Sequence, residues 1–286
     1  MSGSTVSTTR PARATAPGGP AAAPGRLRRT ALDAATSTTR VLLYYRHSPG
    51  LLAASLAVPV VMVVLFGYVF GSAMRVPGGG DYREFLMPGL FAMVAINGIT
   101  PTMVGVARDV DRGATDRLRS MPLSRFGVLL GSALADLLIG VAVLVPLVGV
   151  GLAVGWRMRD GVADALAAFA LLVLFRFVMT WVGTFLGLAA GSEQMAGQLA
   201  VLTFPPAMVT NVFVPTGGMP GWLRVIADWN PASAVVAACR QLFGNPTAPA
   251  SAWPLQHPVV ATLLWSGLLL AVFAPLAVRK YSTHGR

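Results

Sequence analysis

ALAAFALLVLFRFVMTWVGTFLGLAA, residues 165–190, holds one charge, Arg176, in an otherwise apolar run. A run this long and this apolar suits a helix that crosses a bilayer rather than the core of a soluble domain. Five further runs have the same character: residues 51–72, 86–107, 126–155, 198–214 and 259–278. The first reaches about 33 Å at roughly 1.5 Å per residue, enough for a hydrocarbon core of about 30 Å. Pro101 lies in the second run and Pro205-Pro206 in the fifth. The expected fold class is an all-α polytopic membrane protein with six transmembrane helices.

The whole composition agrees. Hydrophobic residues make up 55% of the 286 and charged residues 12%, with a mean hydropathy of +0.65. Soluble domains carry about 25% charged residues, so a water-facing surface of ordinary size is excluded. The net charge of +11 does not point to nucleic acid, because the arginines gather at span ends and in the N-terminal tail instead of along one soluble face. They set topology instead. Arg10, Arg13, Arg26, Arg28, Arg29, Arg40 and Arg46 precede the first span, Arg108, Arg112, Arg117, Arg119 and Arg125 follow the second, and Arg279, Lys280 and Arg286 follow the last. Fewer basic residues (Arg75, Arg83, Arg157, Arg159, Arg224 and Arg240) fall in the opposite loops. Both termini are therefore expected in the cytoplasm, with the chain in the plasma membrane.

The ends and loops divide the chain further. Residues 1–26 are rich in Ser, Thr, Ala, Pro and Gly and read as a disordered cytoplasmic tail. They lack the apolar segment of a secretory signal, although their lack of acids is shared with organelle transit segments. Residues 27–47 place Ala31, Ala34, Ala35, Thr38, Val41, Leu42 and Tyr45 on one stripe, which suits an interfacial amphipathic helix or a solvated lead-in helix. Residues 48–286 form the six-span domain. Within it, residues 215–245 read as two short helices, opened by Gly-Met-Pro-Gly and separated at Asn230-Pro231. Neither is long enough to span, so the pair is expected to tuck back as an outer re-entrant hairpin.

Several kinds of chemistry are missing. The only lysine, Lys280, follows Arg279, so no GxxxxGK[ST] phosphate-binding loop exists. The three histidines are scattered and Cys239 is alone, which leaves no metal cluster and no catalytic triad. The most distinctive polar piece is RDVDRGATDRLRSMPLSR, residues 108–125. Val110, Ala114, Leu118 and Met121 make one face of a short helix that Pro122 ends. Such a helix can lie in a partner's groove or anchor to lipid headgroups.

Together with YREFLMPGLF and FVPTGGMPGWLRVIADWNPASAVVAACRQL, this stretch resembles the permease subunits of type 2 ATP-binding-cassette exporters, in their daunorubicin-resistance-like actinobacterial branch. The resemblance runs from about Arg40 to Lys280. It implies that Arg112, Gly113, Asp116, Arg117, Leu118, Arg119, Met121 and Pro122 form a coupling helix (108–122) that docks on a separate ATPase chain, which holds the ATP and Mg; this chain would hold no cofactor. It implies an outer hairpin containing Trp222, Asn230 and Pro231, and a second permease copy or paralogue. It also implies that the second and fifth spans line a substrate path, for which Phe91, Asn97, Phe204, Met208 and Asn211 are the candidates.

Two charges lie near the midplane. Asp136 falls about ten residues into the third span and Arg176 about eleven into the fourth, and charges at such depth are costly unless paired or hydrated. Pairing with each other is the expectation; a wet cavity, or a substrate or proton role for Asp136, are the alternatives. Gly183, Gly187 and Gly191 recur every four residues and allow close helix approach. The expected function is a non-enzymatic permease subunit that exports an amphipathic drug, natural product or lipid. The alternatives are an ion-coupled transporter using Asp136 and a membrane scaffold.

Overall fold

The structure is a computed structural model that describes residues 49–71, 76, 79–113 and 125–283. The expected tail, the interfacial helix and the coupling residues Asp116, Arg117, Leu118, Arg119, Met121 and Pro122 lie outside the described residues. The described part is helical, with no strand among its residues. The helices are α1 (Pro49–Val64, continued by a π-helical stretch Leu65–Phe70), α2 (Tyr82–Ile96), α3 (Ile99–Asp111), α4 (Arg125–Ala153), α5 (Val162–Ala190), α6 (Glu193–Met208), α7 (Gly221–Asp228), α8 (Pro231–Leu242), α9 (Trp253–Gln256) and α10 (Pro258–Thr283). Among the described residues, five stretches are long and apolar enough to cross a membrane: Ala53–Phe70, Tyr82–Asp111, Leu129–Ala153, Val162–Ala190 and Pro258–Ser282.

The expected sixth, over residues 198–214, is instead a 16-residue helix, α6, followed by non-helical backbone. Pro205 and Pro206 lie in its last turn, where each removes a backbone donor. The backbone beyond them bonds elsewhere. Asn230 Nδ2 donates to the carbonyls of Pro206 and Val209, and the Asn211 N–H donates to Ser233 Oγ at 3.1 Å. Polar backbone at membrane depth requires such partners.

Helix α5 is the centre of the bundle, with α3 and α10 lying closest along it. Glycine makes the α3 contact possible: a Cβ on Gly183 would come within 2.6 Å of the Ile99 carbonyl oxygen, and one on Gly187 within 2.5 Å of that of Met103. Gly191 serves differently, ending α5 in a left-handed conformation at φ 72° with its N–H on the Gly187 carbonyl. The glycine row is thus internal packing.

Two ends of the bundle can be told apart by their contacts. Tyr82 begins α2, while Arg108 lies in the last turn of α3. Arg108 pairs with Glu193 at the start of α6, Thr100 faces Thr203, and the Tyr82 hydroxyl donates to the Phe213 carbonyl at 2.8 Å. The chain from Glu193 to Phe213 therefore runs antiparallel along the whole of α2 and α3. Asn230 caps α8 by accepting from the Ala232 N–H, and Pro231 fills the first helical position. Helix α8 is buried between α2, α5 and α10. Helix α7 turns Trp222, Val225, Ile226 and Trp229 outward as one exposed stripe.

Candidate transport groove and its charged supports

The second span is broken at Asn97-Gly98, between α2 and α3. The break lies where Pro101, lacking an N–H, leaves the carbonyl four residues earlier without its helical donor. Arg176, from the middle of α5, reaches this break. Its Nη1 donates to the Val94 carbonyl at 2.7 Å and its Nη2 lies 3.0 Å from Asp136 Oδ2 on α4. The guanidinium passes between two glycines: a Cβ on Gly98 or on Gly140 would stand 2.8 Å from Arg176 Nε. Arg176 is 8% exposed, so the ion pair is formed away from water, where an unpaired charge is costly. The two deep charges thus meet each other across α4 and α5 and tie both helices to the break in the second span.

On the other side of the break, α1, α2, α3 and α6 enclose a groove of about 430 Å³. Met62, Phe66, Met93, Phe204 and Met208 give it apolar walls, and Asn97, Thr100 and Thr203 add a short polar strip. The Thr100 and Thr203 hydroxyls are 3.4 Å apart. Asn97 is exposed, and its carboxamide makes no hydrogen bond among the described residues. Three of the five expected path residues, Asn97, Phe204 and Met208, line this groove. Phe91 and Asn211 do not. Phe91 is fully buried in an aromatic cluster, edge-on to Trp156 at 5.0 Å and to Phe243 at 6.2 Å. Asn211 is held by α8, donating from Nδ2 to the Ser233 carbonyl at 3.2 Å. Met62, Phe66 and Thr203 were missed in sequence, because an apolar or hydroxyl residue in a span carries no mark of which neighbour it faces.

At the Arg108 end, Arg108 Nη2 lies 2.6 Å from Glu193 Oε1 and its Nε donates to the same oxygen at 2.9 Å. The hydrogen bond from Arg108 holds the Glu193 carboxyl below its usual range, and the charges of Arg108 and Arg112 add to that. Of the expected coupling residues, Arg112 caps α3 with its N–H on the Arg108 carbonyl, and Gly113 follows at φ 64°. At the opposite end, Arg159 pairs with Glu84 at 2.5 Å, which raises the arginine's already high pKa, and Trp156 Nε1 donates to Asn245 Oδ1 at 2.7 Å. These contacts sew the start of α2 and the 156–160 turn to the end of α8. Among the described residues no group of His, Cys, Asp and Glu could hold a metal ion.

Known proteins are similar to this chain in sequence. Residues 34–243 match the family described as ABC-2 type transporter. The daunorubicin resistance ABC transporter permease protein of Streptomyces coeruleorubidus is 31% identical over 256 residues, covering 89% of this chain and 88% of its own. The probable doxorubicin resistance ABC transporter permease protein of Mycobacterium tuberculosis is 22% identical over 86% of this chain and 88% of its own. The probable multidrug ABC transporter permease of Escherichia coli is 23% identical over 65% of this chain and 51% of its own. With the family matched over most of its length and its spans built as helices, this multi-pass membrane chain belongs to the ABC-2 type transporter family of permeases.

Proposed function

We propose that this chain is the membrane half of an ATP-driven exporter that expels an amphipathic compound, with ATP and Mg bound by a separate ATPase chain. The observation that carries the substrate class is the groove: apolar walls with a narrow polar strip at mid-span suit a flat, largely apolar molecule bearing a few hydrogen-bonding groups. The names of the relatives, with daunorubicin, doxorubicin and multidrug among them, point to the same class. The need for a second chain follows from the missing phosphate-binding loop, and the segment 108–122 with its arginines is the piece offered to that chain. A second permease copy or paralogue completes the path, and the bilayer surrounds it.

Six crossings are the topology this reading uses. The segment from Glu193 to Phe213 covers the same depth as the span Tyr82–Asp111, so α6 and its non-helical tail together serve as the fifth crossing. An even number returns the chain to its starting side. The basic residues place that side, with the Arg108 end and both termini, in the cytoplasm of the plasma membrane. The Tyr82 end is then outer, and α7–α8 is a re-entrant hairpin: the Arg240 side chain of α8 reaches as deep as the Phe85 carbonyl in the first turn of α2. The ion-coupled alternative is weaker, because Asp136 is already engaged by Arg176.

The test is affinity purification from native membranes, followed by ATP-dependent daunorubicin uptake into inverted vesicles. A stoichiometric ATPase partner, lost when Arg117 and Arg119 become Glu, is the expected result. A chain that purifies alone, or uptake that continues without ATP and stops with a protonophore, overturns it.

A further inference from the structure

Among the described residues, Arg240 is a buried arginine to which the proposed transport gives no chemical role. It lies in the last turn of α8 and is 3% exposed. Its Nε donates to the Phe85 carbonyl at 2.9 Å, and Nη2 to the carbonyls of Asn211 and Val212, each at 2.9 Å. The guanidinium carbon stands 3.4 Å from the centre of the Phe85 ring. These partners are dipoles and a ring face, and none is a counter-ion. Arg176 has Asp136 and Arg159 has Glu84, but no carboxylate pairs with Arg240 among the described residues. Nη1 makes no hydrogen bond among them either. A guanidinium stays charged at any physiological pH. Buried charges are normally paired, and Arg240 is short of one negative charge.

A cavity of about 280 Å³ lies beside it, at the end of the bundle that the proposed orientation makes outer. Arg240 lines it with Thr216, Gln241 and Thr247, which add hydroxyl and amide groups, and with Ala237 from the preceding turn of α8. Asn211 lines it too, and its Oδ1 is buried with no hydrogen-bond partner among the described residues. The lining therefore includes a cation without a counter-ion and a residue whose buried carboxamide oxygen has no donor among the described residues.

We propose that this cavity binds an oxyanion carrying an adjacent hydroxyl. A carboxylate or phosphate takes the charge of Arg240 as a charge-assisted pair, and the hydroxyl donates to Asn211 Oδ1. A glycerol phosphate group has this chemistry, either as the headgroup of a lipid or as a free ester. Bound there, it would brace the outer hairpin against α2 and the tail of α6. The binding does not depend on what the protein transports.

The test uses the full-length chain in nanodiscs, followed by thermal unfolding without any transport assay. One arm adds glycerol phosphate to phosphatidylcholine nanodiscs, with chloride at equal ionic strength as control. The other replaces part of the phosphatidylcholine with phosphatidylglycerol. A rise in Tm in the first arm identifies a soluble ester, and a rise in the second alone identifies a headgroup. The rise is expected to vanish in Ala237→Phe, which fills the cavity, and in Gln241→Glu, which supplies a carboxylate at its rim. Gln241 is exposed, so that variant retains a folded chain even where Ala237→Phe does not. No rise in either arm overturns the proposal, as does a rise that Gln241→Glu leaves intact.

Discussion

Arg108 and Glu193, 85 residues apart in the chain, meet at 2.6 Å and join the end of α3 to the first residue of α6. Arg108 opens the segment 108–122 that we propose docks on the ATPase, and α6 forms one wall of the groove at its other end. If the segment docks as proposed, its movement has a direct polar link to the groove through Arg108 and Glu193. Both side chains are more than a third exposed, so solvent screens the pair and it contributes little to stability. Glu193→Arg is expected to leave the protein folded and the ATPase docked while lowering the compound moved per ATP. The double change Arg108→Glu with Glu193→Arg is expected to restore that ratio. Vesicle uptake and ATP hydrolysis measured together check this; a double change no better than the single one removes the link.

The same pair has a defined pH dependence. Glu193 titrates below the usual carboxylate range because Arg108 bonds its charged form. A depressed carboxyl stabilises the folded state fully above its unfolded pKa, about 4.3, and loses that contribution as pH falls through the folded value. Coupling is thus expected to be flat through neutral pH and to fail only in acid, as a profile of uptake per ATP at stepped cytoplasmic-side pH would show.

Asp136 and Arg176 make a different kind of pair, since both are shielded from water. Removing one partner strands a buried charge, at a cost of about 3–5 kcal/mol. Asp136→Leu or Arg176→Met alone is expected to lower the unfolding temperature sharply, whereas the two together lower it less. Thermal unfolding in detergent measures both. A double variant as unstable as the worse single one means that the charges are not acting on each other.

How much of this was legible beforehand differs from residue to residue. Asp136 and Arg176 could be placed at one depth because depth along a helix is counted in residues, at about 1.5 Å each. Runs of apolar residues likewise marked the five spanning helices. What counting does not give is rotation. Phe91 and Asn97 are both in the second span, yet one is sealed against Trp156 and the other opens on the groove, because neighbouring helices decide which side of a span is covered. The break falls at Asn97-Gly98 and not at Pro101 itself, since a proline disturbs the carbonyl four residues earlier more than its own position. The short α6 was missed for a related reason: hydropathy continues through Val214, while the backbone leaves the helix after Met208 to bond with Asn230 and Ser233.

Glycine tightness gives a test of the packing. A Cβ at Gly187 would meet the Met103 carbonyl oxygen at 2.5 Å, and backbone cannot turn aside as a side chain can. Gly187→Ala is expected to push α3 from α5 and destabilise by roughly 1–3 kcal/mol, the range for overpacked interiors. Gly105→Ala on α3, where no atom stands near the added methyl, is the control and is expected to be neutral or slightly stabilising. Equal unfolding temperatures for the two variants would mean that α3 and α5 are not in contact.

The groove makes the last prediction. Asn97 brings an unbonded carboxamide to mid-span, where lipid offers no partner, so its hydrogen bonds are left for whatever occupies the groove. Asn97→Leu keeps the volume and removes the polar group. Stability should hold or rise, because an unsatisfied polar group is lost. Transport should weaken by about tenfold in apparent affinity, the equivalent of roughly 1.4 kcal/mol for a lost hydrogen bond. Daunorubicin and a fully apolar compound of similar size, compared in the same vesicles, separate a specific contact from a general effect. If Asn97 reads a polar group on the substrate, daunorubicin alone is affected. If both lose equally, the residue shapes the groove and contacts nothing in particular. If neither changes, the path does not pass between α1, α2 and α6.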